Sequence, residues 1–303
     1  MKPVVLAPMA GVTDKPFRQI VRSFGNQVLY TEMIGVESLS RNHPATRKMM
    51  DIRDENNIII QFVGVNPNAF VKGIRLAENM GAVGIDVNMG CPVKKLISNG
   101  SGSAFLKTPE KAAYLIETIK KETKLPLSVK MRIGWDSTHI NAVEFAKKLE
   151  SAGADRLTVH ARTKEQGYSG SADWLIVKQV KENVHIPVFI NGDIIDKKSA
   201  EEALDISGAD GVMIGRGALG KPWVLTEIET GITPPVDRAE LACHHLDLLL
   251  DYYGPHGVYV ARKHIAWYAK GEKNVAEFCQ SVYAMTDIDQ IKERIHLFFK
   301  GER

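Results

Sequence analysis

The sequence predicts an α/β protein in which a (β/α)8 TIM barrel over residues 1–235 is followed by an all-helical domain over residues 236–303. Eight short apolar runs alternate with longer stretches of helical periodicity, which is the pattern of repeated βα units around a parallel sheet. Nearly every run is followed by a polar or small residue. The chain has 303 residues, and a barrel typically needs roughly 250, so one small additional domain completes the partition.

The predicted strands are short and rich in Val, Ile and Leu, as expected for strands that are covered on both faces. In chain order they lie at residues 4–7, 28–30, 58–60, 83–87, 127–129, 156–159, 188–190 and 212–214. Amphipathic stretches between the strands predict the outer helices, and several of them begin at Pro or Ser and end near a Gly. The clearest of these stretches are residues 67–79, 109–123, 142–152 and 199–207.

The residues that follow the strands predict where the chemistry takes place. In strand order they are Pro8 and Met9, Glu32, Gln61, Asn88, Lys130, His160, Asn191 and Gly215. All strand ends of a closed parallel barrel converge on one mouth, where such enzymes place their active sites. Any single polar residue there could simply begin a surface loop. Eight in series favour a site, because buried polar groups are costly without partners or a ligand.

Composition and charge exclude several classes of protein. With 44% hydrophobic and 25% charged residues, the chain is an ordinary globular protein. A formal net charge of +3 excludes a strongly basic nucleic-acid coat but allows a local basic patch. Cys91, Cys243 and Cys279 are too far apart for a zinc or iron–sulfur site, so no metal is expected. Without a recognisable leader peptide, membrane span or disulfide framework, we expect a cytoplasmic monomer without membrane contact.

The turns after the seventh and eighth strands predict a phosphate site. Residues 215–220 formally match the dinucleotide fingerprint G-x-G-x-x-G, but that motif belongs to a first βα turn and this copy follows the eighth strand. In barrels, the loops after strands seven and eight commonly bind phosphate. Residues 191–193 close the seventh strand, and Arg216 follows the eighth, where it could add a charge-assisted hydrogen bond.

The longest interval between strand ends, residues 88–130, predicts an expanded loop after the fourth strand. This loop is either a lid that grips a substrate or a plain surface excursion. Cys91 lies in it, between Gly90 and Pro92. A lone cysteine is commonly a small buried hydrophobe, but this setting favours a reactive role. Cys243 and Cys279 lie in helical patterns and are predicted to be core residues.

The remaining mouth residues suit a planar, anionic ligand. Lys130 would need an anionic partner at the mouth, and Glu32 could supply one. His160 is either a structural histidine or a donor to an anionic ring. The amides of Gln61 and Asn88 match the alternating C=O and N–H edges of a heterocycle. Together with a nearby thiol and a phosphate site, these residues favour a phosphorylated, redox-active heterocycle, for which FMN is the economical candidate.

Several of these segments resemble the tRNA-dihydrouridine synthase family, and the similarity spans essentially the whole chain. The segments are residues 7–14 (APMAGVTD), 85–92 (IDVNMGCP), 129–132 (VKMR), 159–163 (VHART) and 262–268 (RKHIAWY). The resemblance implies an FMN-containing barrel followed by a helical tRNA-binding domain. It also implies reduction of the C5=C6 bond of particular uridines in tRNA, with NADPH or NADH as reductant. N5 of FMN would give a hydride to C6, and Cys91 would give a proton to C5.

The resemblance further implies which residues bind the cofactor and the RNA. The cofactor-binding residues would be Pro8, Met9 and Ala10 along the isoalloxazine, Gln61 and Lys130 at its polar edge, His160 beside it, and Asn191, Gly192, Asp193, Gly215 and Arg216 around the ribityl and phosphate groups. The tRNA contacts would be Asn88, Arg162, Arg262 and Lys263. Residues 236–303 hold 9 basic and 10 acidic residues, so the RNA contact would rest on a short basic and aromatic run and not on a basic tail. Pattern alone predicts that Trp267 and Tyr268 pack in the core.

Three other functions remain open from the residues. A dihydroorotate-type dehydrogenase or an ene reductase would share the FMN site but would not need residues 236–303. An isomerase or lyase with a phosphate-binding barrel would have no flavin. An RNA-binding protein with an idle barrel would not need Cys91 and Lys130. Family members usually carry a short segment before the first strand, so we expect either a trimmed start or a differently closed barrel bottom.

Overall fold

The computed structural model of the protein describes residues 2–301, so that Met1, Glu302 and Arg303, at the limits of the two predicted domains, lie outside the described residues. Eight parallel strands form one sheet in the order β1-β8-β7-β6-β5-β4-β3-β2. The strands are β1 (Val4–Leu6), β2 (Leu29–Gly35), β3 (Ile58–Val63), β4 (Gly84–Met89), β5 (Leu127–Arg132), β6 (Arg156–His160), β7 (Val188–Asn191) and β8 (Gly211–Ile214). The predicted TIM barrel is thereby confirmed.

The barrel closes between β1 and β2 through a single parallel bridge. Val5 is paired with Val28, and the backbone N–H of Leu6 donates to the carbonyl of Val28 at 3.3 Å. The register between β2 and β3 shifts between Tyr30 and Met33, which marks a bulge. The pairing of β1 with β2 thus involves one residue pair, whereas each of the other adjacent strand pairs shares at least three.

Ten α-helices of the described residues surround or cap the barrel. They are α1 (Lys15–Arg22), α2 (Val36–Ser40), α3 (Pro44–Met50), α4 (Pro67–Asn79), α5 (Lys94–Ser98), α6 (Pro109–Lys120), α7 (Ala142–Ser151), α8 (Trp174–Asn183), α9 (Lys197–Ser207) and α10 (Val224–Thr230). Side chains of Asp14, Asn66, Asp173 and Asp196 accept backbone N–H bonds at the starts of α1, α4, α8 and α9. Short 3-10 turns occupy Gly102–Lys107 and Arg216–Ala218.

Four further helices form the C-terminal part, namely α11 (Arg238–Tyr253), α12 (Gly257–Tyr268), α13 (Val275–Ala284) and α14 (Ile288–Phe299). Their buried side chains make a separate cluster, in which the rings of Phe278 and Phe298 stack at 3.9 Å. This cluster also takes in Ile20 of α1 and Trp223 before α10. The helical architecture of this part is as predicted, while the domain boundary at residue 235 stays a prediction.

The C-terminal helices rest on α1 and on the loop before it. The hydroxyl of Tyr253 donates to Asp14 Oδ2 at 3.1 Å, and Lys263 Nζ donates to the carbonyl of Gly11. The ring of Phe17 lies 5.5 Å from that of His264, centroid to centroid. These contacts join the helical part to the end of β1, where the mouth of the barrel begins.

The barrel interior is apolar below and polar towards the mouth. Val5, Ala7, Tyr30, Ile59, Phe189 and Met213 form the apolar cluster inside the barrel. The larger cluster fills the space between the strands and the outer helices. Among the helices of residues 2–301, none is long and apolar enough to cross a membrane.

Candidate active site

The polar residues expected just after the strands are mostly the last interior-facing residues of the strands themselves. Because side chains alternate along a strand, residues 86 and 88 of β4, 128 and 130 of β5, and 158 and 160 of β6 share the interior face. The strand register sets Gln61 beside Asp86, Asn88 beside Lys130, and His160 beside Asn191. The structure thus brings the residues predicted on β3 to β7 together at one mouth.

Lys130 donates a hydrogen bond to the side-chain amide of Asn191 and not to a carboxylate. Its Nζ donates to Asn191 Oδ1 at 3.2 Å, and Asn191 Nδ2 donates to the carbonyl of Met213 at 2.8 Å. Glu32, which was suggested as the anionic partner of Lys130, instead accepts the backbone N–H of Gly11 at 2.6 Å, in the loop after β1. Burial, together with the charge of Arg132, lowers the pKa of Lys130 to about 8.

Three polar side chains connect the barrel interior to the loop that carries Cys91. Gln61 Nε2 donates to Asp86 Oδ2 at 2.6 Å, and Asn88 Nδ2 donates to Gln61 Oε1 at 2.8 Å. Asn88 Oδ1 in turn accepts the backbone N–H of Cys91 at 2.9 Å and that of Gly90 at 3.1 Å. Gln61 and Asn88 were predicted at the mouth, and the structure joins Asn88 directly, and Gln61 through Asn88, to the predicted proton donor.

Cys91 lies half-buried at the start of the expanded loop. Its carbonyl accepts the N–H of Ser103 at 3.0 Å, and the carbonyl of the preceding Gly90 accepts Arg132 Nε at 2.8 Å. Burial raises the pKa of the thiol, although the positive charges of Arg132 and Lys130 act in the opposite direction. The thiol is therefore protonated at neutral pH and lies close to cations that would stabilise its conjugate base.

The pKa of His160 depends on the charges around the mouth. Burial lowers the pKa of its imidazole, and the charges of Lys130, Arg132, Arg162 and Arg216 lower it further. The ring is consequently neutral and can donate or accept one hydrogen bond. Four cationic side chains around one buried histidine make the mouth electropositive, which suits an anionic ligand.

The turns after β7 and β8 bring glycine backbone close to the side chains of this mouth. Gly192 has φ +121°, and a Cβ on it would lie 3.1 Å from His160 Cδ2. A Cβ on Gly215 would lie 3.9 Å from Met9 Sδ, so backbone and Met9 face each other across a narrow space. The side chain of Arg216 is 52% exposed and lies 3.7 Å from Asp193. Backbone that is free of side chains beside an available guanidinium is the donor set that a phosphate requires.

Arg162 has a different position from the one that an RNA contact requires. Its side chain is 2% exposed, and its Nη2 donates to both carboxylate oxygens of Asp193 at 2.7 Å. Further bonds run to the carbonyls of Ser169 and Gly170. These bonds hold the β6–α8 loop against the turn after β7, and they leave the side chain of Arg162 almost fully buried beneath exposed partners.

The loop after β1 lies next to the turn after β8 at the mouth. Pro8 and Met9 are half-buried and Ala10 is exposed. The backbone N–H of Met9 donates to Thr13 Oγ1 at 2.9 Å, and Gly11 is held between Glu32 and Lys263. The three residues predicted along a planar ring therefore follow one another on a loop that faces β8.

The helical part presents the other predicted RNA contacts. Arg262 lies half-buried between two exposed aromatic rings, 4.6 Å from the centroid of Tyr259 and 5.9 Å from that of Tyr283. Lys263 points to the mouth, where it contacts Gly11. Tyr268 is buried, as predicted, while Trp267 is half-buried.

Sequence reasoning did not single out Asp86, Arg132 or Tyr168. Asp86 and Arg132 lie two residues before Asn88 and two residues after Lys130, so strand alternation could have identified both. Tyr168 lies in the β6–α8 loop, where its ring centroid is 4.9 Å from Arg216 and 5.7 Å from Arg132. No pattern in the sequence marks that position. Within residues 2–301 there is no cluster of three or more His, Cys, Asp or Glu side chains that could hold a metal ion.

The chain matches known proteins over nearly its whole length. A family model described as dihydrouridine synthase matches residues 5–300. A protein of Rickettsia conorii named "Probable tRNA-dihydrouridine synthase" is 43% identical, covering 98% of this chain and 93% of its own. "tRNA-dihydrouridine synthase B" of Pectobacterium carotovorum is 35% identical, covering 98% and 96%.

A solved structure with a similar fold is histamine dehydrogenase from Rhizobium sp. 4-9. Its TM-score is 0.58 at 13% sequence identity, and the alignment covers 81% of this chain but only 48% of that longer chain. At this level of identity the similarity concerns the barrel fold alone.

Proposed function

This chain belongs to the dihydrouridine synthase family, and from that premise we propose that it is an FMN-dependent tRNA-dihydrouridine synthase. It would reduce the C5=C6 bond of specific uridines in tRNA with NADPH or NADH as the reductant. The observation that carries the proposal is a half-buried Cys91 whose backbone N–H bonds to Asn88 at the rim of the barrel mouth, next to Gly90, whose carbonyl is held by Arg132. A small-molecule flavin enzyme remains the competing function, and the experiment below discriminates the two.

The mouth fits FMN on several independent features. The glycine backbone at Gly192 and Gly215 and the exposed guanidinium of Arg216 would receive the phosphate, with Asp193 near the ribityl hydroxyls. Lys130 and Gln61 would contact the polar edge of the ring. The remaining contacts would come from Pro8, Met9, Ala10, His160 and Asn191. When bound, FMN supplies reversible hydride transfer, which none of the side chains can provide by itself.

Lys130 would favour the reduced state of the cofactor. Reduced flavin carries a negative charge near its pyrimidine edge, and a neighbouring ammonium group stabilises that charge. The neutral His160 would add a hydrogen bond without adding charge. In this arrangement the protein adjusts the electrostatics of the cofactor through residues of β5 and β6.

Cys91 would complete the reduction of the uracil ring. Delivery of hydride to C6 places negative charge at C5 and O4, and a general acid must then protonate C5. The Cys91 thiol gives up its proton to form the new C5–H bond and becomes a thiolate. The positive charges of Arg132 and Lys130 stabilise that thiolate, and a proton from solvent restores the thiol. The raised pKa of Cys91 thus suits an acid better than a nucleophile.

The tRNA would be held mainly by the helical part, over residues 236–303. A uridine inside a folded tRNA must leave its stack to enter the barrel, and that movement requires a grip outside the mouth. Arg262 between Tyr259 and Tyr283 combines charge with stacking surfaces, and Lys263 stands at the edge of the mouth. Asn88 would lie beside the entering base. The names of the two relatives support tRNA as the substrate.

An anaerobic reoxidation experiment tests the proposal. The purified flavoprotein is reduced without oxygen and then mixed with unmodified tRNA, with free uridine, or with small-molecule acceptors, namely orotate and an enone. Fast flavin reoxidation by tRNA, with dihydrouridine in the product, is the expected result. A protein purified without flavin, or reoxidation by a small molecule and not by tRNA, would overturn it.

A further inference from the structure

Asp86 is a buried carboxylate below the mouth that has no role in the mechanism above. Its residue is fully buried inside the barrel. Ser128 Oγ donates to Asp86 Oδ1 at 2.6 Å, and Gln61 Nε2 donates to Asp86 Oδ2 at 2.6 Å. The carboxylate therefore has one partner that leads only to the neighbouring strand and one that leads to the reacting groups.

The hydrogen bonds from Asp86 to Cys91 have a fixed direction, which is set at both ends. At the Cys91 end, a backbone N–H can only donate, so Asn88 must present Oδ1 to it and direct Nδ2 to Gln61. At the other end, Asp86 Oδ2 accepts from Gln61 Nε2, which leaves Oε1 for Asn88. Burial raises the pKa of the Asp86 carboxyl, but a proton on Oδ1 is donated to Ser128 Oγ, so that Oδ2 remains an acceptor in either form. The two ends demand the same orientation of both amides.

We propose that Asp86 is a positioning residue, which orients Gln61 at the cofactor edge and, through Asn88, the backbone of the proton donor Cys91. The inference rests on the proposed roles of Gln61 and Cys91. A terminal acceptor removes the freedom of the Gln61 amide to rotate by 180°. With that freedom lost, both amides present the same donor and acceptor to their neighbours in every molecule.

Loss of the acceptor would be transmitted along the whole chain of bonds. Without Asp86 the buried amide group of Gln61 is left without a partner, which is costly. If Gln61 rotates to find one, its Nε2 meets Asn88 Nδ2, and two donors cannot bond. If Asn88 rotates as well, its Nδ2 meets the N–H of Cys91. The loop that holds Cys91 then loses the bonds that fix its first turn.

Two substitutions of Asp86 separate geometry from charge. Asp86→Asn keeps an oxygen for Gln61, and its amide can donate to Ser128 Oγ, which can turn to the carbonyl of Ile85 at 3.3 Å. Asp86→Ala removes the acceptor. Ser128→Ala serves as the matched control, because it removes the other hydrogen bond of the same carboxylate and leaves the bonds to Cys91 intact.

The main readout is the alkylation of Cys91 by iodoacetamide in the FMN-loaded protein, followed by peptide mass spectrometry. Alkylation of Cys243 and Cys279 in the same sample reports general loosening of the fold. The second readout is the dissociation constant of FMN. Asp86→Ala is expected to alkylate Cys91 about tenfold faster and to bind FMN about tenfold more weakly, as for the loss of one buried hydrogen bond. Asp86→Asn and Ser128→Ala should stay within about twofold of the wild type.

Several results would overturn the inference. One is an Asp86→Ala protein with wild-type alkylation and FMN affinity, and another is an Asn variant as defective as the Ala variant. Faster alkylation of all three cysteines alike would reduce Asp86 to a structural role. If Asp86→Ala does not fold, Gln61→Met interrupts the same bonds and must accelerate Cys91 alkylation selectively. A wild-type protein without flavin or dihydrouridine would overturn the proposed function instead, whatever the alkylation pattern.

Discussion

Two cysteine environments differ in what surrounds the sulfur. Cys91 is half-buried beside Arg132 and Lys130, at the end of a chain of hydrogen bonds from the barrel interior. Cys279 is also half-buried, but it lies on α13 in the helical part, away from the mouth. Because both cysteines are half-buried but have different surroundings, Cys279 is the natural control for any test of Cys91.

Cys91→Ala is expected to retain FMN and to be reduced by NADPH at the wild-type rate, because Cys91 would act only after the cofactor has been reduced. Dihydrouridine formation should fall by about 10²- to 10⁴-fold, the usual contribution of a general acid. Nucleoside analysis of the tRNA gives the yield, and Cys279→Ala should behave as the wild type. An undiminished yield in Cys91→Ala would contradict the assignment.

Lys130→Met is expected to lower the two-electron midpoint potential of the bound flavin. The variant loses a hydrogen bond from a charged group to the anionic reduced ring, worth about 1.5–3 kcal/mol, which corresponds to about 30–60 mV. Spectroelectrochemical titration measures the shift. Lys107→Met, which removes an exposed lysine over the ring of Trp135, is the control. An unchanged potential in Lys130→Met would remove Lys130 from the flavin edge.

The sequence predicts which single residues reach the mouth, but not how they pair. Strand alternation suffices to place Lys130, His160 and Asn191 there, since it depends only on spacing along each strand. Pairing depends on the register between strands, which decided that Lys130 meets Asn191 and not Glu32. Arg162 shows the same limit, because its partner Asp193 lies 31 residues away in the chain.

Helix α1 is the element on which the two parts of the protein meet. It begins at Asp14, whose Oδ1 accepts the N–H of Phe17 and whose Oδ2 accepts the hydroxyl of Tyr253. Burial raises the pKa of the Asp14 carboxyl to about 6, although both of these hydrogen bonds act against the rise. The negative charge of Glu32 contributes to the same increase. A helix cap thus titrates near neutral pH.

Asp14→Asn is expected to change how stability depends on pH. Between about pH 4 and pH 6 the folded protein holds a proton on Asp14 that the unfolded chain has released, so the free energy of unfolding falls as pH rises through that window. An asparagine caps the helix equally well and does not titrate. The free energy of unfolding of the variant, relative to that of the wild type, should therefore increase by up to about 3 kcal/mol between pH 4 and pH 7.

Urea unfolding at several pH values measures this difference. Asp287→Asn is the matched control, because Asp287 caps α14 in the same way but is exposed to solvent. Its difference from the wild type should stay constant over the same range. A constant difference for Asp14→Asn as well would show that Asp14 is ionised in the folded protein throughout.

Element boundaries were predictable where apolar runs define them. All eight predicted strands are present, and the predicted helix at residues 67–79 has those exact limits. Strands β2 to β5 extend further than predicted because they continue through polar residues such as Gln61 and Lys130. Apolar patterning cannot signal a strand end whose side chains are polar.

At the scale of the whole molecule, Lys263 links the two parts, because it lies on α12 of the helical part and contacts Gly11 at the barrel mouth. Lys263→Ala is expected to weaken tRNA binding and to reduce the slope of log affinity against log salt by about 1, as for the loss of one phosphate contact. Binding isotherms at several salt concentrations measure both quantities. Lys273→Ala, which removes an exposed lysine between α12 and α13, is the control. Weaker binding with an unaltered slope would leave Lys263 with the role of holding Gly11.

Chain length predicted an extra domain, but the surface on which it rests was not predictable. The contact pairs Asp14 with Tyr253, which are 239 residues apart. Ile20 and Trp223 both lie within residues 1–235, yet both are buried against the C-terminal helices. A hydrophobic pattern shows that a face is covered, but it does not show which element covers it.

The bond between Lys263 and the loop after β1 limits how the two parts can be recombined. A chimera joined at residue 235 would set the loop that lines the mouth against a foreign α11 and α12. Partners for Gly11 and Asp14 would then come from a sequence that did not change together with them. A module that can be exchanged intact would therefore keep the four C-terminal helices together with residues 9–22, Lys48 and Trp223, which contact these helices from distant parts of the chain.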